Sequence, residues 1–223
     1  PQTLKLVGIS PDRWKLRFLG IPTTGISKLG EGNIIRNSSR RLLKPTRTSF
    51  KNLTKTFDLP QVTRGRFLVV VDPGHGGPDP GAVGIGRTRE TDVVLDISLQ
   101  VAALLKDKGV KVRLTRSSEV DLDLPPRVAI ANRSNATAFV SIHANASRTT
   151  RRDVNGIETF YFGGSKGLRL SKYIQKEVLS VSPRSPDRGV RKGRFFVIRR
   201  TNMPAALVET GFVTGRIDGP RLS

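Results

Sequence analysis

The sequence predicts an α/β fold: a single catalytic domain on a mostly parallel or mixed twisted sheet of about six strands, with helices on both faces. Residues 67–71 form a continuous apolar, β-branched run, which is typical of a strand buried on both faces. Residues 93–108 carry apolar side chains at helical spacing and are followed by Gly109, a natural helix stop. Strands that alternate with helices indicate a sheet covered on both sides.

The same alternation continues to the end of the chain. A short helix with proline near its first turn is predicted at 125–133, and a second long helix at 168–179. The other apolar runs are predicted as strands: 110–115, 138–142, 156–162, 195–199 and 205–208.

Residues 1–65 differ in pattern from the rest. Alternating apolar residues around Trp14 predict short strands, and a stretch rich in Pro, Gly, Ser, Asn and basic residues follows. We interpret 1–65 as a β-rich remnant with a basic linker, and 66–223 as the catalytic domain. A disordered linker is the alternative for residues 22–60.

Composition limits the classes of function. The formal charge is +21, which favours a polyanionic partner such as nucleic acid, an anionic membrane or an acidic wall polymer; plain solubility is the alternative. There are no cysteines, which excludes disulfides and thiolate metal sites. No apolar run reaches the roughly 18 residues of a membrane span, so no transmembrane segment is expected.

Polar, metal-capable side chains follow three of the predicted strands. His75 comes just after the first strand, His143 directly after 138–142 and Glu209 directly after 205–208. The carboxyl ends of parallel strands meet at one edge of a sheet, where open α/β folds bind ligands. Glu90 lies just before the first long helix, in the loop that leaves this edge. We therefore expect the four side chains to converge.

Two histidines and a carboxylate with an open fourth position form a known catalytic zinc arrangement. Zinc lowers the pKa of a bound water and polarises a carbonyl, and a further carboxylate can pass the water's proton to a leaving amine. Taken singly, each residue has an ordinary explanation, such as a loop histidine or a helix-start acid. Because both histidines of the chain occupy the same kind of position, the set predicts a metallohydrolase.

The motifs around these residues resemble a known family. Residues 71–82 read VDPGHGGPDPGA, 141–145 read SIHAN, 156–160 read GIETF and 204–212 read PAALVETGF. Over about residues 66–214 they resemble the zinc N-acetylmuramoyl-L-alanine amidases of the cell-separation (AmiC-like) type. The resemblance implies one Zn²⁺ per chain, with His75, Glu90 and His143 as ligands and Glu209 as the catalytic glutamate.

The resemblance also implies a substrate and a location. Members hydrolyse the amide bond between N-acetylmuramic acid and the L-alanine of the stem peptide in peptidoglycan. They act in the periplasm or otherwise outside the cytoplasmic membrane, typically at the septum during cell separation.

Two departures from the family bear on the site. The chain ends soon after Glu209, where members usually add a closing helix, so that helix is expected to be absent. Some members carry a long insertion that folds over the zinc, whereas here only residues 163–166 join a strand to the next helix. We therefore predict no autoinhibitory helix and no obligatory activator.

A basic segment precedes the strand of Glu209. Its residues Arg191, Lys192 and Arg194, together with Asn145, are the candidate substrate-binding residues, because cations at the rim attract stem-peptide carboxylates and other wall anions. A solvated basic face is the alternative.

Two other classes of function compete with the amidase. A non-catalytic wall- or nucleic-acid-binding module would use the charge alone, but aromatic residues make up 6% of the chain and do not interleave with the basic runs, so no nucleic acid is expected. A zinc deacetylase with another wall substrate would release acetate rather than stem peptide.

Overall fold

The computed structural model describes residues 65–148 and 150–223, so the predictions made for residues 1–64 lie outside the described residues. The strands are β1 (Leu68–Pro73), β2 (Lys111–Leu114), β3 (Ala138–Asn145), β4 (Ile157–Tyr161), β5 (Asp187–Lys192) and β6 (Ala205–Phe212). The helices are α1 (Glu90–Asp107), α2 (Leu124–Arg133), α3 (Ser165–Val181), α4 (Phe196–Arg200) and α5 (Gly219–Leu222), with a 3-10 turn at Ile85–Arg87.

These strands form one mixed six-stranded sheet in the order β2-β1-β3-β6-β4-β5. The neighbours β2, β1, β3 and β6 are parallel, β4 is antiparallel to β6, and β5 is parallel to β4. The predicted α/β class and the mixed sheet of about six strands are therefore confirmed. Because β1, β3 and β6 are adjacent and parallel, their carboxyl ends lie at one edge.

The sheet separates two apolar cores, as predicted for a sheet with helices on both faces. Val69 and Val71 of β1 point to one face, where they belong to a core with residues of α1 and α3. Val70 points to the other face, into a core with residues of α2 and α4. Burial on both faces explains the uninterrupted apolar run in β1.

Two elements near the basic segment differ from the prediction. Residues 195–199 were predicted as a strand, but Phe196–Arg200 form helix α4, which buries Val197 and Ile198 against the sheet. A short apolar run fits either structure, and tertiary packing decides between them. The strand in this region is β5, which the apolar pattern missed because it is a charged edge strand paired only with β4.

The end of the described chain is covered by a short helix. In α5, Leu222 is buried and belongs to the core on the α1 side of the sheet. After β6 the structure thus has a helix of 4 residues. Among residues 65–148 and 150–223, no helix has the length and apolar character needed to cross a membrane.

Candidate metal centre and active-site cleft

The four predicted site residues meet at the carboxyl edge of the parallel strands. β3 and β6 extend further than predicted, so that His143 and Glu209 lie within these strands, level with each other. His75 follows β1 by two residues. Glu90 is the first residue of α1 rather than part of the loop before it. It therefore lies where the helix dipole favours a carboxylate, besides facing the histidines.

Three of these side chains point ligand atoms at one another. Oε1 of Glu90 lies 3.0 Å from Nε2 of His75 and 3.0 Å from Nδ1 of His143. The ligand atoms of the three residues all lie within 4.8 Å of one another. The backbone amides of Ala144 and Ala82 donate to Oε1 and Oε2 of Glu90 and fix its carboxylate. This donor set, two imidazoles and one carboxylate, suits a catalytic zinc ion.

The imidazole of His75 is oriented by a carboxylate on its other side. Nδ1 of His75 lies 2.7 Å from Oδ2 of Asp79, which leaves Nε2 to face Glu90. A carboxylate on the distal nitrogen is the usual support of a metal-binding histidine, because it fixes the tautomer and raises the basicity of the ligand. Sequence reasoning gave Asp79 no role, although its spacing of four residues from His75 in a glycine-rich loop was visible.

The backbone of the loop that carries His75 passes close to the metal-ligand side chains and adopts an unusual conformation at His75. His75 itself has a φ of 57°, a conformation that a residue with a side chain adopts rarely. A Cβ on Gly74 would overlap the ring of His143, and one on Gly81 would lie 2.7 Å from Oε2 of Glu90. These two glycines therefore bring the loop within reach of the metal ligands.

Two buried arginines hold this loop by hydrogen bonds to its backbone carbonyls. Arg127 donates to the backbone carbonyls of Pro73 and His75, and Arg116 donates to those of Pro73 and Gly74. Nη1 of Arg127 also lies 3.0 Å from Oδ1 of the buried Asp72. Because both arginines are buried, these hydrogen bonds hold the backbone on either side of His75 from the interior of the domain. No sequence pattern predicted this support, since its members lie far apart along the chain.

The ionisation of His75 and Glu90 is shifted by their surroundings. The hydrogen bond to Glu90 raises the pKa of His75 to about 9. Burial opposes the ionisation of Glu90, but its hydrogen bonds with His143 and His75 bring the pKa of Glu90 below its usual range. Glu90 is therefore ionised and the imidazole of His75 carries a proton, and a divalent cation at the site would replace that proton as the balancing positive charge.

Glu209 lies beside this centre but is not one of the three converging ligands. Burial raises its pKa to about 7, against the attraction of His143. Its Oε2 is buried and has no hydrogen-bond partner in the part of the chain that the structure describes. A buried carboxylate with a pKa near neutrality and a free acceptor atom is suited to general acid–base catalysis.

An active-site cleft of about 350 Å³ opens over these residues. It is lined by His75, His143 and Glu209, by the loop before α2 and by the start of α4. The loop before α2 contributes Asp121 and Asp123. Within the described residues no helix of the chain fills the cleft.

The candidate substrate-binding residues fall into different places. The amide nitrogen of Asn145 donates to Oε1 of Glu158 at 2.9 Å, and Nε of Arg191 lies 3.5 Å from Oε2 of Glu158. Arg194 is exposed in the loop between β5 and α4. Lys192 pairs with Tyr161, next to the pair of Arg191 with Phe160, and therefore points to the opposite face of the sheet from Arg191. The structure thus brings Asn145 and Arg191 together and separates Lys192 from them.

A family model described as N-acetylmuramoyl-L-alanine amidase matches residues 69–223. This chain belongs to that family. Its members are peptidoglycan hydrolases, and the domain is an amidase that cleaves the bond between N-acetylmuramic acid and L-alanine. The binding-module alternative, which has no catalytic activity, is not favoured.

Individual relatives agree with the family assignment. The chain is 39% identical over 157 residues to the uncharacterised protein YqiI of Bacillus subtilis, covering 69% of this chain and 74% of YqiI. It is 38% identical to the N-acetylmuramoyl-L-alanine amidase LytC of the same organism, over 69% of this chain but only 31% of LytC. Among solved structures, the amidase AmiC2 of Nostoc punctiforme superposes with a TM-score of 0.68 at 49% identity, covering 72% of this chain and 87% of that one.

Proposed function

We propose that residues 66–223 are a zinc-dependent amidase domain that holds one Zn²⁺ per chain on His75, Glu90 and His143. The single observation that carries this proposal is the convergence of two imidazole nitrogens on Oε1 of Glu90, each at 3.0 Å. The carboxylate of Asp79 on the distal nitrogen of His75 supports it, because such a partner is expected for a metal ligand.

Glu209 is the catalytic base in this proposal. A zinc ion at the site would polarise the scissile carbonyl and make a nearby water more acidic. Oε2 of Glu209 accepts the proton of the attacking water and then delivers it to the nitrogen of the leaving L-alanine. Burial raises the pKa of Glu209 above its usual range, which favours uptake of a proton by this carboxylate.

The place of action follows from the substrate. Peptidoglycan lies outside the cytoplasmic membrane, so we propose a periplasmic or otherwise extracytoplasmic location. Within it, the enzyme would act at the septum during cell separation.

We propose that no activator is needed, because only residues 162–164 separate β4 from α3 and the described residues leave the cleft open. A purified full-length chain is therefore expected to digest peptidoglycan without a partner protein.

Substrate contacts complete the proposal. Arg191 and Arg194 attract anionic groups of the wall, and Asn145 contributes through its hydrogen bond to Glu158. Lys192 is left out because it lies on the opposite face of the sheet from Arg191.

Metal analysis combined with digestion of purified peptidoglycan tests the function. Glu209→Ala is expected to keep zinc and lose activity by a factor of about 10² or more, since general acid–base catalysis is typically worth 10²–10⁴. His75→Ala is expected to lose both zinc and activity. Full activity in the zinc-free chain, or in Glu209→Ala, would refute the proposed mechanism.

The released product tests the substrate bond. An amidase releases free stem peptide with L-alanine at its amino terminus. Release of acetate instead would assign the centre to a wall deacetylase.

A further inference from the structure

A row of polar side chains crosses the sheet beyond the metal centre. His143 on β3 is level with Glu209 on β6, and Glu209 is level with Glu158 on β4. Residues paired across neighbouring strands point to the same face, with strands about 4.8 Å apart. Glu158 therefore lies one strand beyond the proposed base, on the face of the sheet that carries the active-site cleft.

Glu158 is a buried carboxylate that binds two arginines. Its Oε1 accepts from Asn145 and lies 3.4 Å from Nε of Arg188, and its Oε2 lies 3.5 Å from Nε of Arg191. Ionised carboxylates are buried only when they are paired, because desolvation is costly. One negative charge here faces two positive charges, so the cluster keeps an excess of positive charge.

Both arginine side chains are held through Nε or through the carbon atoms before it, which we call the inner edge of the guanidinium group. The guanidinium of Arg188 lies over the ring of Phe212, 5.0 Å from its centroid. The aliphatic part of Arg188 packs on Gly156, where a Cβ would lie 2.7 Å from Cγ of the arginine. Nε of Arg191 donates to the backbone carbonyl of Arg188 at 3.2 Å. Both arginines therefore have a defined orientation before any ligand binds.

The outer edge of each guanidinium group, formed by its two terminal nitrogens, is available to a ligand. In the described part of the chain, the terminal nitrogens of Arg188 and Arg191 make no hydrogen bond to another residue. The side chains are 32% and 53% exposed. A guanidinium presents paired N–H groups that match the two oxygens of a carboxylate, so a pre-oriented pair with free outer edges is a carboxylate receptor.

The charges around the cleft favour one orientation of the bound substrate. The lining of the cleft includes Asp121 and Asp123, which repel a carboxylate, whereas the exposed Arg194 follows Arg191 by three residues and adds positive charge to that segment. In a stem peptide the carboxylate nearest to the scissile amide belongs to the second residue, which is isoglutamate or its amide, isoglutamine.

We propose that Arg188 and Arg191, oriented by the buried Glu158, bind the carboxylate of the second stem residue and make the enzyme prefer isoglutamate over isoglutamine. The inference rests on the proposed amidase function and adds a determinant of specificity to it. Glu158 acts through the arginines and is a positioning residue.

A matched pair of substrates tests this proposal. Two disaccharide tetrapeptides that differ only in isoglutamate or isoglutamine are hydrolysed by the zinc-loaded full chain, and kcat/KM is measured for each. We expect the wild type to prefer the isoglutamate substrate about ten- to hundredfold, the range for charge-assisted hydrogen bonds. Equal rates on both substrates would overturn the inference but leave the amidase intact, whereas hydrolysis of neither would refute the function on which it rests.

Variants identify the residues responsible. Arg188→Gln combined with Arg191→Gln is expected to bring the preference close to 1, through a loss of kcat/KM on the isoglutamate substrate. Arg191→Gln alone, at a half-exposed position where folding is retained, is expected to lose part of the preference. Lys192→Gln removes the same charge from the same strand on the other face and is expected to keep the wild-type preference. A wild-type preference in the double variant would contradict the proposal.

Glu158→Gln separates positioning from structure. If Glu158 orients the arginines, the variant raises KM for the isoglutamate substrate more than for the isoglutamine substrate. A purely structural role would lower hydrolysis of both substrates together, and that result would overturn the part assigned to Glu158.

Discussion

Two buried carboxylates on the same face of the sheet are used in opposite ways. Asp72 accepts from Thr115, Ser141 and Arg127, and the guanidinium of Arg127 makes all its other hydrogen bonds to backbone carbonyls. Glu158 also binds arginines, but their outer edges are free among the described residues. The first cluster is saturated and holds the loop of His75 in place, whereas the second keeps hydrogen-bonding capacity for a ligand.

The comparison shows how to separate support from recognition in this fold. A buried charge whose partners are also buried supports the structure, and breaking the pair leaves an uncompensated charge in the interior. A buried charge whose partners reach solvent can orient those partner side chains to bind a ligand. The side chain of Arg127 is 4% exposed, against 53% for Arg191.

The largest expected effect comes from breaking the saturated cluster. Arg127→Met leaves Asp72 buried without its ion pair and is expected to lower the free energy of unfolding by about 3–5 kcal/mol. Arg191→Met, the matched change in the open cluster, is expected to cost about 1 kcal/mol or less, as for exposed ion pairs. Urea unfolding of both variants measures the difference. Similar losses in the two variants would remove the distinction between the clusters.

A smaller effect is expected from Asp79, which supports a metal ligand without being buried. Asp79→Asn is expected to weaken zinc binding about 10–100-fold, because the distal nitrogen of His75 loses its carboxylate. The unfolding midpoint of the zinc-free chain should change little, since the side chain of Asp79 is 59% exposed. Competition with a chelator measures the affinity, and Asp96→Asn on the exposed surface of α1 is the control. An unchanged affinity in Asp79→Asn would contradict its role.

The smallest expected effect is the pH dependence of zinc binding, which comes from the proton that zinc displaces from His75. The pKa of His75 is raised to about 9, so at pH 7 its imidazole carries a proton that the cation must displace. Zinc uptake at pH 7 is therefore expected to release about one proton or more, and the apparent affinity to fall about tenfold per unit as the pH is lowered below 9. Calorimetry in buffers of different ionisation enthalpy measures this release. A pH-independent affinity between 6 and 8 would show that His75 is not a ligand.

The sequence predicted the metal centre better than its surroundings. His75, His143 and Glu209 could be found because each follows a run of apolar residues in the sequence, and the strands that contain these runs are parallel neighbours. The support by Arg127 could not be found, because its contacts with Asp72 span 55 residues and depend on which loops pack together. Pairing of this kind leaves no periodic signal.

The elements around the basic segment show a second limit. Apolar periodicity finds strands that are buried, so it missed the charged edge strand β5 and assigned strand structure to the apolar residues of α4. This error concealed which basic residues share a face. Only the register of β5 against β4 separates Arg191 from Lys192.

The central claim is that His75, Glu90 and His143 bind one zinc ion next to Glu209. Crystals of the zinc-loaded chain, measured on both sides of the zinc absorption edge, test this claim most directly. We expect one anomalous peak about 2.0–2.2 Å from Nε2 of His75, Nδ1 of His143 and a carboxylate oxygen of Glu90. A peak at other residues, or a zinc-loaded chain with no peak at these three, would contradict the account.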